Sequence, residues 1–297
     1  MAAIVELWRY PLKSALGEPL RTAHVSLTGV AGDRQWACVD PADGTVGSAK
    51  HPRRWGRLLE VTARSLDDGG LAIQVGADVY EATGDASPRG VAGGRGDFGL
   101  RGDAGVRGDA RAGGDAGPNG DAEAALAAHL GRPVRLTREV PPEARLHRTL
   151  PGVDGMVPDW MSGLRPGDDA VTDLGGAGAG GFVDFAPVHV VTTGELAKLG
   201  ATPSRFRPNI VLDADNDPEP GAEIRLGDVV LRAMSPTPRC VIPGLDHGPG
   251  VPADTELLRT LARHYRVEVA GLGKAACFGV YAEVIQPGEL RVGAASG

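Results

Sequence analysis

The sequence predicts a mainly β (α+β) protein, and three observations carry the prediction. Glycine and proline are abundant, 45 and 23 of 297 residues. The apolar residues, 42% of the chain, fall in short runs that often alternate with polar ones. These runs are bounded by Gly, Asp and Pro, the pattern of strands joined by turns rather than of a helical bundle.

Residues 4–10, 23–27, 35–40, 58–63 and 71–75 read as strands, punctuated by Gly29, Gly32, Asp43-Gly44 and Asp68-Gly69-Gly70. A helix is predicted over 121–130, with Asp121 as its cap and Gly131 as its stop, and a strand follows over 134–137. Between them glycine recurs at every third position from Gly90 to Gly108 and again from Gly114 to Gly120. A collagen-like stalk also needs abundant imino acid, and this tract holds only Pro118, so it reads as a surface insertion rather than the trimerising element of an interaction protein.

Residues 141–181 are loop-like and end in the run Gly175-Gly176-Ala177-Gly178-Ala179-Gly180-Gly181, which lacks the strand-then-helix context of a dinucleotide fingerprint. Beyond it come a strand over 182–190, a helix capped by Thr192 or Thr193 and running to Leu199, and strands over 210–212 and 229–233. A helix over 255–265 and strands over 278–286 and 289–292 close the chain. The expected organisation is a β domain over 1–140 with the insertion at about 90–120, a linker over 141–181, and a second β domain over 182–297.

A net charge of −7 argues against a nucleic-acid binder. Cys38, Cys240 and Cys277 form no CxxC pair, so neither a disulfide scaffold nor a thiolate zinc site is indicated, and reduced thiols fit a cytoplasmic protein. The first residues lack the charged and apolar regions of a secretory leader, and no stretch approaches the roughly 20 apolar residues of a membrane span.

Four islands place polar groups where a strand meets a turn. In Tyr10-Pro11-Leu12-Lys13-Ser14, Lys13 and Ser14 offer an ammonium and a hydroxyl to an anion, although such a pair alone is ordinary solvated surface. In Gly32-Asp33-Arg34-Gln35-Trp36, Arg34 reads in isolation as a surface ion pair with Asp33. In Arg205-Phe206-Arg207-Pro208-Asn209, the two arginines at alternate positions of an extended chain suit a phosphate fork, or equally a charged edge strand, and the Asn209 amide can read a ligand edge.

The fourth island is Ser235-Pro236-Thr237-Pro238-Arg239-Cys240-Val241-Ile242-Pro243. A cysteine in a proline-braced loop beside a guanidinium is a ligand or nucleophile before it is packing. Nearby Asp246-His247-Gly248-Pro249-Gly250 reads as a structural Asx turn ahead of a proton donor. His189 reads as a hydrogen-bonded core histidine, Tyr281 as core, and Cys38 and Cys277 as packing.

Taken in order, these islands resemble the MOSC superfamily, in its group with an N-terminal MOSC β-barrel followed by a MOSC domain, to which the amidoxime-reducing components belong. Tyr10 to Ser14 and Gly32 to Trp36 look like its N-terminal signatures, Arg205 to Val211 its arginine–asparagine motif, and Pro238-Arg239-Cys240 its cysteine motif. Phe278-Gly279-Val280-Tyr281 and Pro287 to Gly293 resemble its closing hairpin. The loop after Cys240 departs from the family's usual acidic-Thr-Gly ending.

The resemblance implies an N-terminal β-barrel-like domain packed on a C-terminal β-barrel, and a molybdenum cofactor (Mo-molybdopterin) whose metal is held by Cys240. Lys13, Ser14, Arg34, Arg207 and Asn209 would hold the cofactor, Tyr281 would line the site, and Thr192 and Thr193 would offer a helix N-terminus to the phosphate. Pyridoxal phosphate binding is a further family-level implication. The implied activity is reduction of a small N-oxygenated substrate such as an amidoxime, hydroxylamine or N-hydroxylated base. Electrons would come from a separate flavin or iron–sulfur reductase, because the chain has no iron–sulfur cysteine set or flavin motif and stops at Gly297. The alternative is a non-catalytic molybdopterin or persulfide-sulfur carrier using Cys240.

Overall fold

The computed structural model describes residues 3–83, 119–175 and 181–293. The glycine-period tract up to residue 118 and positions 176–180 of the second glycine run lie outside the described residues. The N-terminal part comprises β1 (Ala3–Arg9), β2 (Glu18–Leu20), β3 (Thr22–Ser26), β4 (Gly29–Val30), β5 (Ala37–Val39), the one-turn helix α1 (Pro52–Trp55), β6 (Thr62–Ser65), β7 (Leu71–Val75), β8 (Asp78–Ala82), α2 (Gly120–Leu130) and β9 (Arg135–Thr137). There follow β10 (Arg145–Thr149), β11 (Asp169–Asp173), β12 (Val188–Thr192), α3 (Thr193–Leu199), β13 (Ile210–Asp213), β14 (Glu223–Leu226), β15 (Val229–Pro238), α4 (Thr255–His264), β16 (Arg266–Val269), β17 (Gly273–Gln286) and β18 (Gly288–Arg291). The protein is therefore β-rich with peripheral helices.

The largest sheet has the order β14-β15-β17-β12-β13-β1-β2, with β16 added on β17. Its ladder is open: β14 and β2 are not joined, so the closed barrels implied by the resemblance are absent from the described pairing. All its pairs are antiparallel except β12 with β13. Both halves of the chain contribute, since β1 lies between β13 and β2, and β18 returns to pair with β3. The inward residues of this sheet, among them Ile4, Leu7, Val190, Ile210, Leu231 and Val280, form one core. A second core around Trp55, Leu58, Leu71, Ile73 and Leu126 packs α2 on the β6-β7-β8 sheet.

Several boundaries differ from expectation for local reasons. Gly56–Glu60 forms a 3-10 helix, so the strand expected from residue 58 starts only at Thr62. At the start of α2 the N-cap is Asn119 rather than Asp121, which lies in the first turn, while Gly131 ends the helix at φ 68° as a left-handed cap. The strand expected from residue 182 starts at Val188, because the preceding segment is held by other contacts: Phe182 N–H donates to Arg34 O at 2.7 Å. Residues 141–181 are more than a linker, carrying the β10–β11 hairpin and a short 3-10 helix at Asp159–Met161. No described helix is long and apolar enough to cross a membrane.

Because β1 is hydrogen-bonded on both edges, Leu7 contacts the core at the seam between the two halves, with 1% of its surface exposed. Leu7→Ala is expected to lower unfolding free energy by about 2–5 kcal/mol, measured by urea denaturation.

Candidate functional site

The β1–β13 pairing delivers the first site segment. Leu7 stands opposite Ile210, Trp8 N–H donates to Asn209 O at 2.9 Å, and the turn after β1 therefore lies beside the loop before β13. On the other side of β13, Asn209 N–H donates to His189 O at 2.8 Å, and His189 pairs with Tyr281 of β17. The loop leaving β15 brings Cys240 into the same cleft.

This cleft has a cavity volume of about 130 Å³. At roughly 30 Å³ per liquid water that is room for about four waters, more than a single ion needs. Seven cationic side chains line it, Lys13, Arg34, Lys50, Arg148, Arg205, Arg207 and Arg239, against one carboxylate, Asp184. Ser14, His189, Asn209, Thr237, Cys240 and Tyr281 line it as well. The sequence-predicted residues Lys13, Ser14, Arg34, Arg207, Asn209, Tyr281 and Cys240 thus meet in one place.

The backbone is distorted where they meet. Among the described residues three non-glycine residues have positive φ, Ser14 (65°), Arg34 (50°) and Arg207 (55°), and all three line the cleft. Such conformations are disfavoured for residues bearing a Cβ and persist only where surrounding contacts impose them. Those contacts are visible. Arg34 N–H donates to Tyr10 O at 2.8 Å, Ser14 Oγ accepts from Ala49 N–H at 3.1 Å, and Arg207 N–H donates to Pro203 O at 3.1 Å.

The guanidinium groups are held in the same way. The buried ring of Tyr10 carries Arg207 at 4.3 Å and Arg34 at 5.0 Å from its centroid, a cation–π arrangement that offsets part of their mutual repulsion. Arg34 also pairs with buried Asp33 and donates to Arg207 O at 3.2 Å, so the expected surface ion pair is an internal one. Arg207 Nη1 donates to Ala15 O at 2.5 Å, but its Nη2 is buried without a partner. Thr237 Oγ1 is likewise buried without a partner. These two orphaned atoms belong to cleft residues, and an anionic or oxygen-rich ligand would satisfy both.

Lys13 and Lys50 share one counter-ion: each Nζ lies 2.8 Å from Asp184 Oδ1. Burial pushes the Lys13 ammonium down to about 8, with the Asp184 charge only partly opposing it. Desolvation would raise the Asp184 carboxyl, whose side chain is 36% exposed, but the two lysines hold it well below the usual carboxylate range. Burial and then the Arg239 charge depress His189, which is neutral; its Nε2 accepts from Arg239 Nη2 at 2.5 Å, so the ring proton sits on Nδ1. Burial raises the Tyr281 phenol, whose ring lies 5.3 Å from Phe185.

Several expected roles change. Arg205 and Arg207 do not form a fork on extended chain: Arg205 ends the 3-10 turn Pro203–Arg205 and donates to the carbonyls of Pro243, Leu245 and Pro252, bracing the loop beyond Cys240. The Asn209 amide oxygen accepts from His189 N–H at 3.1 Å, so the side chain ties two strands together before it meets any ligand. Arg239 turns to Phe278 O and His189. Thr192 and Thr193 lie outside the cleft lining; their hydroxyls donate to Asp217 at 2.9 Å and Asp213 at 3.2 Å. The Asp246 turn is structural, with Oδ1 accepting Gly248 N–H at 2.7 Å and His247 bonded to Ile242 O at 2.9 Å and depressed by burial to about 4. Cys38 and Cys277 are buried, and burial pushes both thiols up to about 12.

Sequence reasoning missed Lys50, Arg148, Asp184 and Thr237. Thr237 carried a usable signal, a hydroxyl locked between two prolines. Lys50 and Asp184 gain meaning only through each other across the chain, and Arg148 donates to Thr172 Oγ1 at 3.0 Å. Among the described residues no group of three or more His, Cys, Asp or Glu is placed to hold a metal ion. A metal here would arrive with its own ligands and gain one thiolate.

The fold is of the β-rich α+β class, with a cationic cleft that includes a loop thiol. Residues 1–92 match the MOSC N-terminal beta barrel domain and residues 181–295 match the MOSC domain. The chain belongs to the MOSC family. It is similar to mitochondrial amidoxime reducing component 2 of Rattus norvegicus, 31% identical over 124 residues, and to mitochondrial amidoxime-reducing component 1 of Mus musculus, 32% identical over 124 residues. In both cases the match covers 38% of this chain and 36% of the relative, so the chain spans little more than a third of those proteins' length. The YUAD protein from Bacillus subtilis aligns over 99% of this chain and 93% of its own with TM-score 0.37 and 10% identity, too loose a likeness to carry an argument.

With Lys13 titrating near 8, the cleft loses positive charge as pH rises through that value. Affinity for sulfate, whose own charge is constant over the range, is expected to fall between pH 7 and pH 9 by isothermal titration calorimetry, and Lys13→Arg is expected to flatten the fall.

Proposed function

We propose that the cleft binds the molybdenum cofactor through its phosphorylated pterin, with the Cys240 thiolate as protein ligand to the metal, and that the protein is a reductase of N-hydroxylated compounds. The observation that carries this reading is the meeting of Cys240 with seven cationic side chains in a protein of net charge −7, two of the lining atoms being buried without partners. A local excess of buried positive charge in an acidic chain calls for a multiply charged anion. The family match and the relatives' names support the choice of anion and of substrate.

When bound, the cofactor would supply two-electron redox chemistry. The chain's own residues would do the rest. Lys13, Arg34, Lys50 and Arg207 would clamp the phosphate and the polar pterin edge, and Ser14 would donate its hydroxyl proton, its oxygen already accepting from Ala49. Asn209 and His189 would hold the floor of the cleft in register. In the overall reaction the N–O bond of the substrate breaks, two electrons and two protons enter, and oxygen leaves as water. Electrons would come from a separate reductase. Lys13 Nζ carries a proton labile near neutral pH, shared with Asp184, and can serve as proton source.

The test is metal and pterin content of protein purified from a cofactor-competent host, followed by benzamidoxime reduction with an artificial electron donor. Cys240→Ser is expected to lower bound molybdenum roughly tenfold or more, since hard oxygen replaces soft sulfur. Equal occupancy and activity in wild type and Cys240→Ser would remove Cys240 from this role. Metal without turnover would favour a cofactor carrier, and cyanide-releasable sulfur without metal a persulfide carrier.

A further inference from the structure

The cationic residues occupy only part of the cleft. Leu150, Pro151, Met156, Pro158 and Met161 supply an apolar wall to its lining, and all five come from a segment that reads from sequence as linker. None of these side chains can bind phosphate, so the wall contributes nothing to holding the charged group that the cations demand.

The wall is built rather than draped. Leu150 N–H donates to Asp168 O at 2.8 Å, and Gly167 N–H donates to Leu150 O at 3.1 Å, fixing one end to the β10–β11 hairpin. At the other end Arg266 of β16 donates to Gly155 O, to Val157 O at 3.1 Å and to Asp159 Oδ1 at 2.6 Å, while Asp159 Oδ2 accepts Lys274 N–H at 2.8 Å. Gly155 has φ +84°, and a Cβ there would lie 3.3 Å from Ala262, so the segment sits directly on α4. Met156 is buried, whereas Pro158 and Met161 are half-exposed and present their surface to the cleft.

We propose that the Leu150–Met161 wall is the substrate-side surface of the cleft and selects uncharged, planar, apolar N-hydroxylated compounds, with Met161 as its specificity-determining residue. Thioether and proline surfaces gain free energy from covering carbon and gain nothing from a small polar molecule. Methionine also adapts to different ring shapes, which suits a class of substrates rather than one compound. Tyr281, its ring steadied by Phe185 at 5.3 Å, adds an aromatic face to the same cleft. The proposal rests on the reductase reading for the reacting group, and on the cleft alone for the shape and polarity of what binds.

The experiment compares benzamidoxime with acetamidoxime, which carry the same reacting group on a phenyl or a methyl. In wild type, Met161→Ala and Met161→Leu, it measures kcat/KM for both compounds and, by calorimetry, direct binding of benzamidoxime. Met161→Ala is expected to lower the benzamidoxime-to-acetamidoxime ratio about tenfold and to weaken benzamidoxime binding by a similar factor, at unchanged molybdenum content, with Met161→Leu restoring both. An unchanged ratio with unchanged binding would overturn the proposal. If the protein holds no molybdenum and reduces neither compound, the reductase reading falls, and the calorimetric comparison decides the wall by itself.

Discussion

The antiparallel pairing of β1 with β13 is the constraint on which the rest of the site depends. It places the turn after residue 9 against the loop before residue 210, segments about two hundred positions apart in a 297-residue chain. The loop-closure entropy of that juxtaposition is offset by the core beneath it, where Ile4, Leu7, Ile210 and Leu212 are each almost fully buried. Without this seam Lys13 and Ser14 would be ordinary turn residues, and Arg207 would have neither the Tyr10 ring nor Ala15 O to hold it.

The cleft then has to tolerate its own charge. Cations this close repel, and burial removes the water that would screen them. Compensation is distributed. Asp33 answers Arg34, Asp184 answers two lysines, Tyr10 presents its ring to two guanidinium groups, and backbone carbonyls take up Arg205 and Arg239. The compensation is incomplete at Arg207 Nη2 and Thr237 Oγ1. Left-handed backbone at Ser14, Arg34 and Arg207 belongs to the same account, since local preference has been overridden to aim these side chains at one place.

How far the site was legible depended on the kind of signal each residue leaves. Cys240 was legible because prolines and a guanidinium flank it, although β15 runs on through Pro236 to Pro238 against β17 and the thiol also packs beside the Ala49, Leu59 and Ile242 cluster. Lys13, Ser14, Arg34 and Arg207 were legible as motifs next to strand ends, and their order along the chain matched a family pattern. The partners of these residues were not. Arg205 and Asn209 carry the same motif signal yet are bound largely to backbone, because which carbonyl or amide lies within reach depends on neighbouring loops. Thr192 and Thr193 look equally suitable in sequence, but their hydroxyls donate to Asp217 and Asp213, away from the cleft lining.

Read alone, the chain determined its class, most of its strands, the loop thiol and the basic turns, because alternation, glycine and proline act over a few residues and need no knowledge of the rest. Tertiary structure decided that the sheets stay open and that two distant halves share one of them. It also turned a nominal linker into an apolar wall and let one carboxylate govern two lysines. Those outcomes depend on contacts between residues remote in sequence, whose energies exist only once the core has closed and excluded water.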